Sequence, residues 1–242
     1  KTKSRTKSKN YDKSVQDLIA FMEEANAYNN VRLHDDKDLR YEGMRAVFNG
    51  LKSVFVHAEF VKEIQDVIEF KRVFNLNQLV LVGGYDSYLV AENLKNNNIA
   101  VVLRRLHSLP MYAEEDIDLP YKLPKILHDA GVKFCLNNSG DMEQMGTRNL
   151  PFYAGTAVAY GLTYEEAVSS ITSSAAEILG ISDRVGTLEE GKDATIIVSK
   201  GDALDMRTNQ LTQAFVQGRF MRLTNHQDDL YNKYKKKYGL TK

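Results

Sequence analysis

The fold is decided by Gln78-Leu-Val-Leu-Val-Gly83, a run that is apolar at every inner position and ends at a glycine. A short run of this kind predicts a strand that is buried on both faces of a sheet. Similar runs occupy residues 53–57, 99–103 and 133–136. Such strands, when helical stretches separate them, predict a parallel sheet, because each crossover must return the chain to the same end of the sheet. The predicted fold class is therefore α/β.

Helical patterns fill the intervals between these strands. Apolar residues recur at helical spacing over residues 61–68 and 90–94, and two further helical stretches precede the first strand, over 15–22 and 36–51. The strand runs begin at residues 53, 78, 99 and 133, and these spacings fit right-handed crossovers in a barrel or an open sheet. Four strands alone are too few to close a barrel.

The last third of the chain follows different patterns. Thr163 and Glu166 form a capping box that begins a helix. Beyond Gly186 the pattern changes to β, with strand runs at 194–198, 213–217 and 220–223, and apolar residues four apart then predict an amphipathic closing helix. We expect the β runs to form antiparallel structure outside the main sheet. Their apolar faces need a cover, either the closing helix or a second copy of the chain, so we expect a homodimer.

Charge and composition exclude several classes of partner. The 32 basic and 32 acidic residues cancel, so no overall field draws the protein to nucleic acid or to an anionic membrane. Basic residues alternate with threonine, serine and asparagine over residues 1–10 without interleaved aromatic side chains, which favours a solvated linker over nucleic-acid binding. No apolar stretch approaches the roughly 20 residues that cross a bilayer, so we expect a soluble chain. A single cysteine, Cys135, leaves the compartment undecided. A small-molecule substrate remains the expected partner.

Two segments near the end of the chain carry a family resemblance. Residues 149–167 read Asn-Leu-Pro-Phe-Tyr-Ala-Gly-Thr-Ala-Val-Ala-Tyr-Gly-Leu-Thr-Tyr-Glu-Glu-Ala, and residues 183–198 read Asp-Arg-Val-Gly-Thr-Leu-Glu-Glu-Gly-Lys-Asp-Ala-Thr-Ile-Ile-Val. Together they resemble the closing stretch of the metal-dependent amidohydrolase superfamily, in its imidazolonepropionase-like branch. The glycines stand where the chain must turn sharply into a short strand, in agreement with the resemblance.

The resemblance implies a (β/α) barrel of eight strands, of which this chain carries the second half. It also implies that the C-terminal β runs belong to a composite β-sandwich domain. The expected divisions are a basic linker (1–10), the partial barrel (11–185), a β-sandwich segment (186–223) and a C-terminal helix and tail (224–242).

The resemblance also implies a function. Family members hold one or two divalent metals, zinc or another, at the carboxyl ends of the barrel strands, where metal-bound water attacks an amide or related carbon. We therefore expect part of a hydrolase of C–N bonds other than peptide bonds, acting on an amide or cyclic amide and inactive as this fragment. The five histidines include no His-x-His pair, so tight metal binding is expected only in a full-length parent. The alternative is a degenerate amidohydrolase-like protein that binds a small molecule without metal.

Candidate site residues follow the predicted strands. His57, before Ala58-Glu59, resembles the family's metal histidine of strand five; the alternative is a strand-end histidine bonded to a carbonyl or carboxylate. The next strand ends at Gly83-Gly84-Tyr85, where the family often places another histidine and this sequence has none. A glycine turn into a helix N-terminus can approach an anion, although an ordinary tight turn is the simpler interpretation. Tyr85 is a candidate for substrate binding.

The two later strands supply the remaining candidates. Arg104 and His107 lie in a loop expected to hang over the barrel mouth, where an arginine pairs well with a substrate carboxylate; a solvated basic loop is the alternative. Asp141 is the candidate catalytic base, with a loop acid or helix cap as the alternative. Because each candidate follows a strand, we expect His57, the Gly83-Gly84 turn, His107 and Asp141 on one face of the sheet, at the carboxyl ends of four parallel strands.

Overall fold

The structure, a computed structural model, describes residues 9–31, 36–140 and 142–240. Most of the basic linker and the candidate base Asp141 lie outside these ranges. The α-helices of the described ranges are α1 (Tyr11–Asn30), α2 (Leu39–Phe48), α3 (Val61–Val73), α4 (Ala91–Asn96), α5 (Leu119–Asp129), α6 (Glu143–Gly146), α7 (Leu150–Ala159), α8 (Tyr164–Ile171), α9 (Ser173–Ile178) and α10 (His226–Lys237).

The main sheet has four parallel strands in the order in which they occur along the chain. They are β1 (Val54–Ala58), β2 (Leu79–Gly83), β3 (Ala100–Leu103) and β4 (Phe134–Leu136). Helix α3 connects β1 to β2, a 3-10 turn (Tyr85–Val90) and α4 connect β2 to β3, and α5 connects β3 to β4. The α/β class and the parallel sheet are therefore confirmed. The carboxyl ends of all four strands lie at the same end of the sheet, because the strands are parallel.

The two faces of this sheet are covered unequally. Side chains at alternate strand positions, including Leu81, Leu103 and Leu136, pack with the helices into the main hydrophobic core. On the other face, Val80 and Cys135 form a small cluster with Ile178 of α9. Phe55 of β1 lies on that second face and is 42% exposed. The second face is thus covered by α9 near β4 and open near β1.

The C-terminal β runs form a separate antiparallel sheet, as predicted. Its strands are β5 (Ile196–Ser199), β6 (Leu211–Val216) and β7 (Arg219–Phe220). The predicted runs at 213–217 and 220–223 correspond to β6 and β7, which form a hairpin whose turn residues Gln217 and Gly218 both have positive φ, at 51° and 75°. Two consecutive positive φ values are typical of the tight turn that joins antiparallel strands.

The closing helix α10 forms as predicted but covers little. None of its residues is buried, and Phe220 of the neighbouring sheet stays 64% exposed. The cover that we expected from this helix is therefore not provided in this chain, and cover by a second copy stays a prediction. None of the helices in the described ranges combines the length and apolarity that a bilayer-spanning segment needs.

Candidate functional site

His57 lies one residue before the end of β1 and is exposed. Its neighbours Val56 and Ala58 pack into the main core, so strand alternation directs His57 to the more open second face. Within the described ranges, no group of three or more His, Cys, Asp or Glu side chains is close enough to hold a metal ion. These residues therefore do not make a metal site by themselves, since a catalytic zinc usually takes three protein ligands.

The glycine turn after β2 is occupied by a carboxylate of the protein itself. The Glu59 side chain accepts a hydrogen bond from the Tyr85 backbone N–H at 3.1 Å. A Cβ added at Gly83, whose φ is +102°, would lie 2.8 Å from the Glu59 carboxyl carbon. The predicted anion preference of this turn is thus met internally. The sequence analysis did not single out Glu59, although Glu59 directly follows the last residue of β1.

A second carboxylate, Glu115, anchors the loop that follows β3. It accepts hydrogen bonds from the backbone N–H groups of Met111 and Tyr112, both at 3.1 Å, and from the Tyr85 hydroxyl. Tyr85 is fully buried. Burial, followed by the bond to Glu115, raises the pKa of Tyr85 far above its usual range. The candidate substrate-binding Tyr85 is therefore engaged inside the fold, where it ties the turn after β2 to this loop.

Arg104 lies between these two carboxylate anchors. Its Nη1 is 3.7 Å from Glu59 Oε1, and its guanidinium lies 5.7 Å from the centre of the Tyr85 ring. The neighbouring Arg105 reaches the segment that follows β4. Its Nη2 would be 3.5 Å from a Cβ added at Gly140. The two arginines thus connect the ends of β1, β2, β3 and β4 at one end of the sheet.

His107 turns toward the helices. Its Nε2 is 2.7 Å from Thr156 Oγ1 of α7, and its ring meets that of Tyr153 edge-on at 4.6 Å. Partial burial, followed by the charge of Arg105, lowers the pKa of His107 below its usual value. Tyr153 also donates to Asn138 Oδ1 at 2.8 Å, which fixes the segment after β4. His107 therefore contacts the helical layer, on the opposite side of the sheet from His57.

The sequence of the chain is similar to those of known proteins. A family model described as "Amidohydrolase family" matches residues 54–222, which include both sheets. The chain belongs to the amidohydrolase family. It is 25% identical over 174 residues to the amidohydrolase tasK of Hapsidospora irregularis, with 69% of this chain and 17% of that protein covered. It is 24% identical over 184 residues to the imidazolonepropionase of Flavobacterium psychrophilum, with 66% of this chain and 45% of that protein covered.

A solved structure has the same fold over most of the chain. The amidohydrolase from Thermotoga maritima superposes with a TM-score of 0.68 at 25% sequence identity, covering 88% of this chain and 54% of that one. The resemblance to the imidazolonepropionase-like branch of the family is thereby confirmed, as is the barrel-type fold. This amidohydrolase chain spans about half the length of that structure and 45% of the imidazolonepropionase.

The site residues of the amidohydrolase chain are separated by the sheet itself. β1 and β4 are its two outer strands, with β2 and β3 between them. His57 and the segment after β4 therefore lie at the same end but at opposite edges of the sheet. The residues that the structure does bring together are Glu59, Tyr85 and Arg104, from the ends of the first three strands.

Proposed function

We propose that the protein is part of a metal-dependent hydrolase that acts on C–N bonds other than peptide bonds, such as those of an amide or a cyclic amide. The observation that carries the proposal is the family match over residues 54–222, with His57 exposed at the carboxyl end of its first strand. Active sites of parallel barrels form at this end of the strands. His57 is the residue of this chain that we propose as a metal ligand.

This chain would supply the second half of the catalytic domain. Two of its relatives are about twice as long as the stretch they share with it, which supports the division into linker, partial barrel, sandwich segment and tail. Because the described residues do not form a metal site, we assign no metal-dependent step to them. Asp141 stays our proposed base, because it directly follows Gly140, and a Cβ added at Gly140 would lie 3.5 Å from Nη2 of Arg105. Arg104 is the proposed substrate contact best supported by position.

Metal content and turnover test the proposal. The chain is purified alone and together with a separately expressed segment that supplies the first half of the barrel, dialysed, and analysed for zinc and for hydrolysis of amides and cyclic imides. We expect little zinc and no turnover from the chain alone, and both from the combination. His57→Ala should lower zinc content and turnover, whereas His128→Ala, which changes a histidine on α5, should leave both unchanged. Stoichiometric zinc and turnover in the chain alone, abolished by His57→Ala, would show that the site is complete here.

A second candidate function is a small-molecule binding protein without metal. The observation that favours it is the turn after β2, where glycines replace the family's histidine and Glu59 fills the space. Metal analysis of the longest natural form of the protein separates the two candidates. An enzyme should retain at least one metal ion per chain, and a binding protein should retain none.

We also propose a homodimer, because the small sheet and α10 leave apolar side chains exposed. Light scattering across a range of concentrations measures the mass directly. Phe220→Asp, at the 64% exposed position of β7, should shift the equilibrium toward monomer. A monomer at every concentration, for the unsubstituted protein, would contradict the proposal.

A further inference from the structure

A cavity of about 550 Å³ opens on the helix-covered side of the main sheet, between the start of α5 and α7. Its volume is in the range of small-molecule sites. It is lined by His107, Ser108, Leu109, Tyr121, Thr156 and Tyr160. The proposed metal ligand His57 lies on the opposite face of the sheet, so the cavity is separate from the hydrolase site and its function does not depend on that proposal.

The hydrogen bonds of Thr156 fix which nitrogen of His107 carries a proton. The single hydroxyl proton of Thr156 is donated to the Phe152 carbonyl oxygen at 2.9 Å. With that proton donated to Phe152, we assign Thr156 Oγ1 as the acceptor of a hydrogen bond from His107 Nε2, which lies 2.7 Å away. A neutral imidazole protonated at Nε2 has a lone pair at Nδ1. His107 thus provides one hydrogen-bond acceptor at Nδ1.

Aromatic rings form much of the remaining wall. The Tyr121 and Tyr160 rings lie 5.3 Å apart, tilted by 50°, and the His107 ring meets Tyr121 edge-on at 6.0 Å. None of the lining side chains is a carboxylate, a lysine or an arginine. Such a wall favours flat, uncharged molecules, because aromatic faces pack well against rings and no charge is present to pair with an ion.

We propose that this cavity binds a neutral, planar heteroaromatic molecule that carries an N–H donor. The ring of the ligand packs against Tyr121 and Tyr160, and its N–H points to Nδ1 of His107. Partial burial and the nearby charge of Arg105 keep the imidazole neutral, which preserves the acceptor.

Indole and benzofuran make a matched pair of probes. They have nearly the same shape, but benzofuran has an oxygen in place of the indole N–H. Titrations followed by NMR of the histidine and tyrosine rings should show saturable shifts at His107, Tyr121 and Tyr160 with indole. Benzofuran should bind about five-fold more weakly, the difference that one net hydrogen bond gives.

Three variants make the test specific. Thr156→Val removes the acceptor that fixes Nε2–H, and His107→Gln removes the imidazole; both should reduce the preference for indole over benzofuran. His128→Gln, which changes an exposed histidine at the other end of α5, should preserve it. If His107→Gln does not fold, Thr156→Val still decides the outcome. The proposal is overturned if indole produces no saturable shifts at these rings, if wild type binds the two probes equally, or if Thr156→Val keeps the full preference.

Discussion

The two sheets of the molecule bury their apolar side chains to very different degrees. In the main sheet Leu81 and Leu103 are fully buried beneath the helices, whereas Ile197 of the small sheet is 53% exposed. Both sheets follow from clear β patterns in the sequence, so the difference does not come from local propensity. It comes from what packs on each sheet. The main sheet carries its own helical cover within the chain, and the small sheet has no such cover among the described residues.

The largest expected difference in unfolding free energy is between a leucine of the main sheet and a leucine of the small sheet. Leu103→Ala empties a fully buried position of the core and should cost about 2–5 kcal/mol of unfolding free energy. Leu211→Ala removes a side chain that is 41% exposed and should cost about 0.5 kcal/mol or less. Urea unfolding followed by circular dichroism measures both. Equal losses would mean that the small sheet is as firmly packed as the main one, and the contrast would fail.

The next largest expected difference in stability is between alanine substitutions at Gly83 of the main sheet and at Gly191, which precedes the small sheet. Gly83 has a φ of +102° and is in close contact with Glu59, whereas Gly191, with a φ of +89°, has open space around it. Alanine at either position costs about 1–3 kcal/mol of backbone strain. Gly83→Ala should cost measurably more, because it also displaces the Glu59 carboxylate. If thermal unfolding shows the two variants to be equally stable, the Glu59 contact carries no energy.

A pair of tyrosines tests the anchored loop. Tyr85→Phe removes a buried hydroxyl that donates to Glu115 and accepts from the Met111 N–H at 3.0 Å, and should cost about 1–3 kcal/mol. Tyr231→Phe, on the exposed face of α10, should change stability by no more than about 0.5 kcal/mol. Hydrogen exchange at the Met111 and Tyr112 amides should also accelerate in Tyr85→Phe alone. Unchanged exchange there would place the anchoring of the loop elsewhere.

The smallest expected effect is a pH dependence in the main-sheet region. The pKa of His107 is lowered from its usual 6.5, so the unfolded chain takes up its proton at higher pH than the folded chain does. The stability that this residue contributes is therefore present above about pH 6.5 and is lost as pH falls through the lowered pKa. An NMR titration of the His107 ring should give a midpoint below 6.5. A midpoint at or above that value would contradict the burial that the structure gives this ring.

Much of the fold could be predicted from the sequence, because strand patterns depend on neighbouring residues. The runs at 53–57 and 78–83 predict β1 and β2, and the order of the strands follows from the lengths of the crossovers. Gly218 separates the predicted runs at 213–217 and 220–223, in agreement with the hairpin turn. The first run included Gln217, which the structure places in the turn, because glutamine is not a residue that normally marks a left-handed turn.

The site was less predictable, because its contacts join residues that are far apart in the chain. Glu59 meets Tyr85 and Arg104 only after three strands have assembled, and no local pattern specifies that meeting. The direction of His107 likewise depends on Thr156 of α7, 49 positions away. Sequence periodicity places residues at strand ends, but tertiary packing decides which side of the sheet their side chains reach.

Cys135 gives the chain a natural reporter of its own opening. It is the single cysteine, it lies in β4 beneath α9, and burial raises its pKa to about 11. Thiol reagents attack the thiolate, so the closed state is nearly unreactive at neutral pH. Alkylation must therefore wait for the moments when α9 lifts from the sheet. The rate of alkylation therefore measures how often α9 separates from the sheet, without any added dye. It reports on the less covered face of the main sheet.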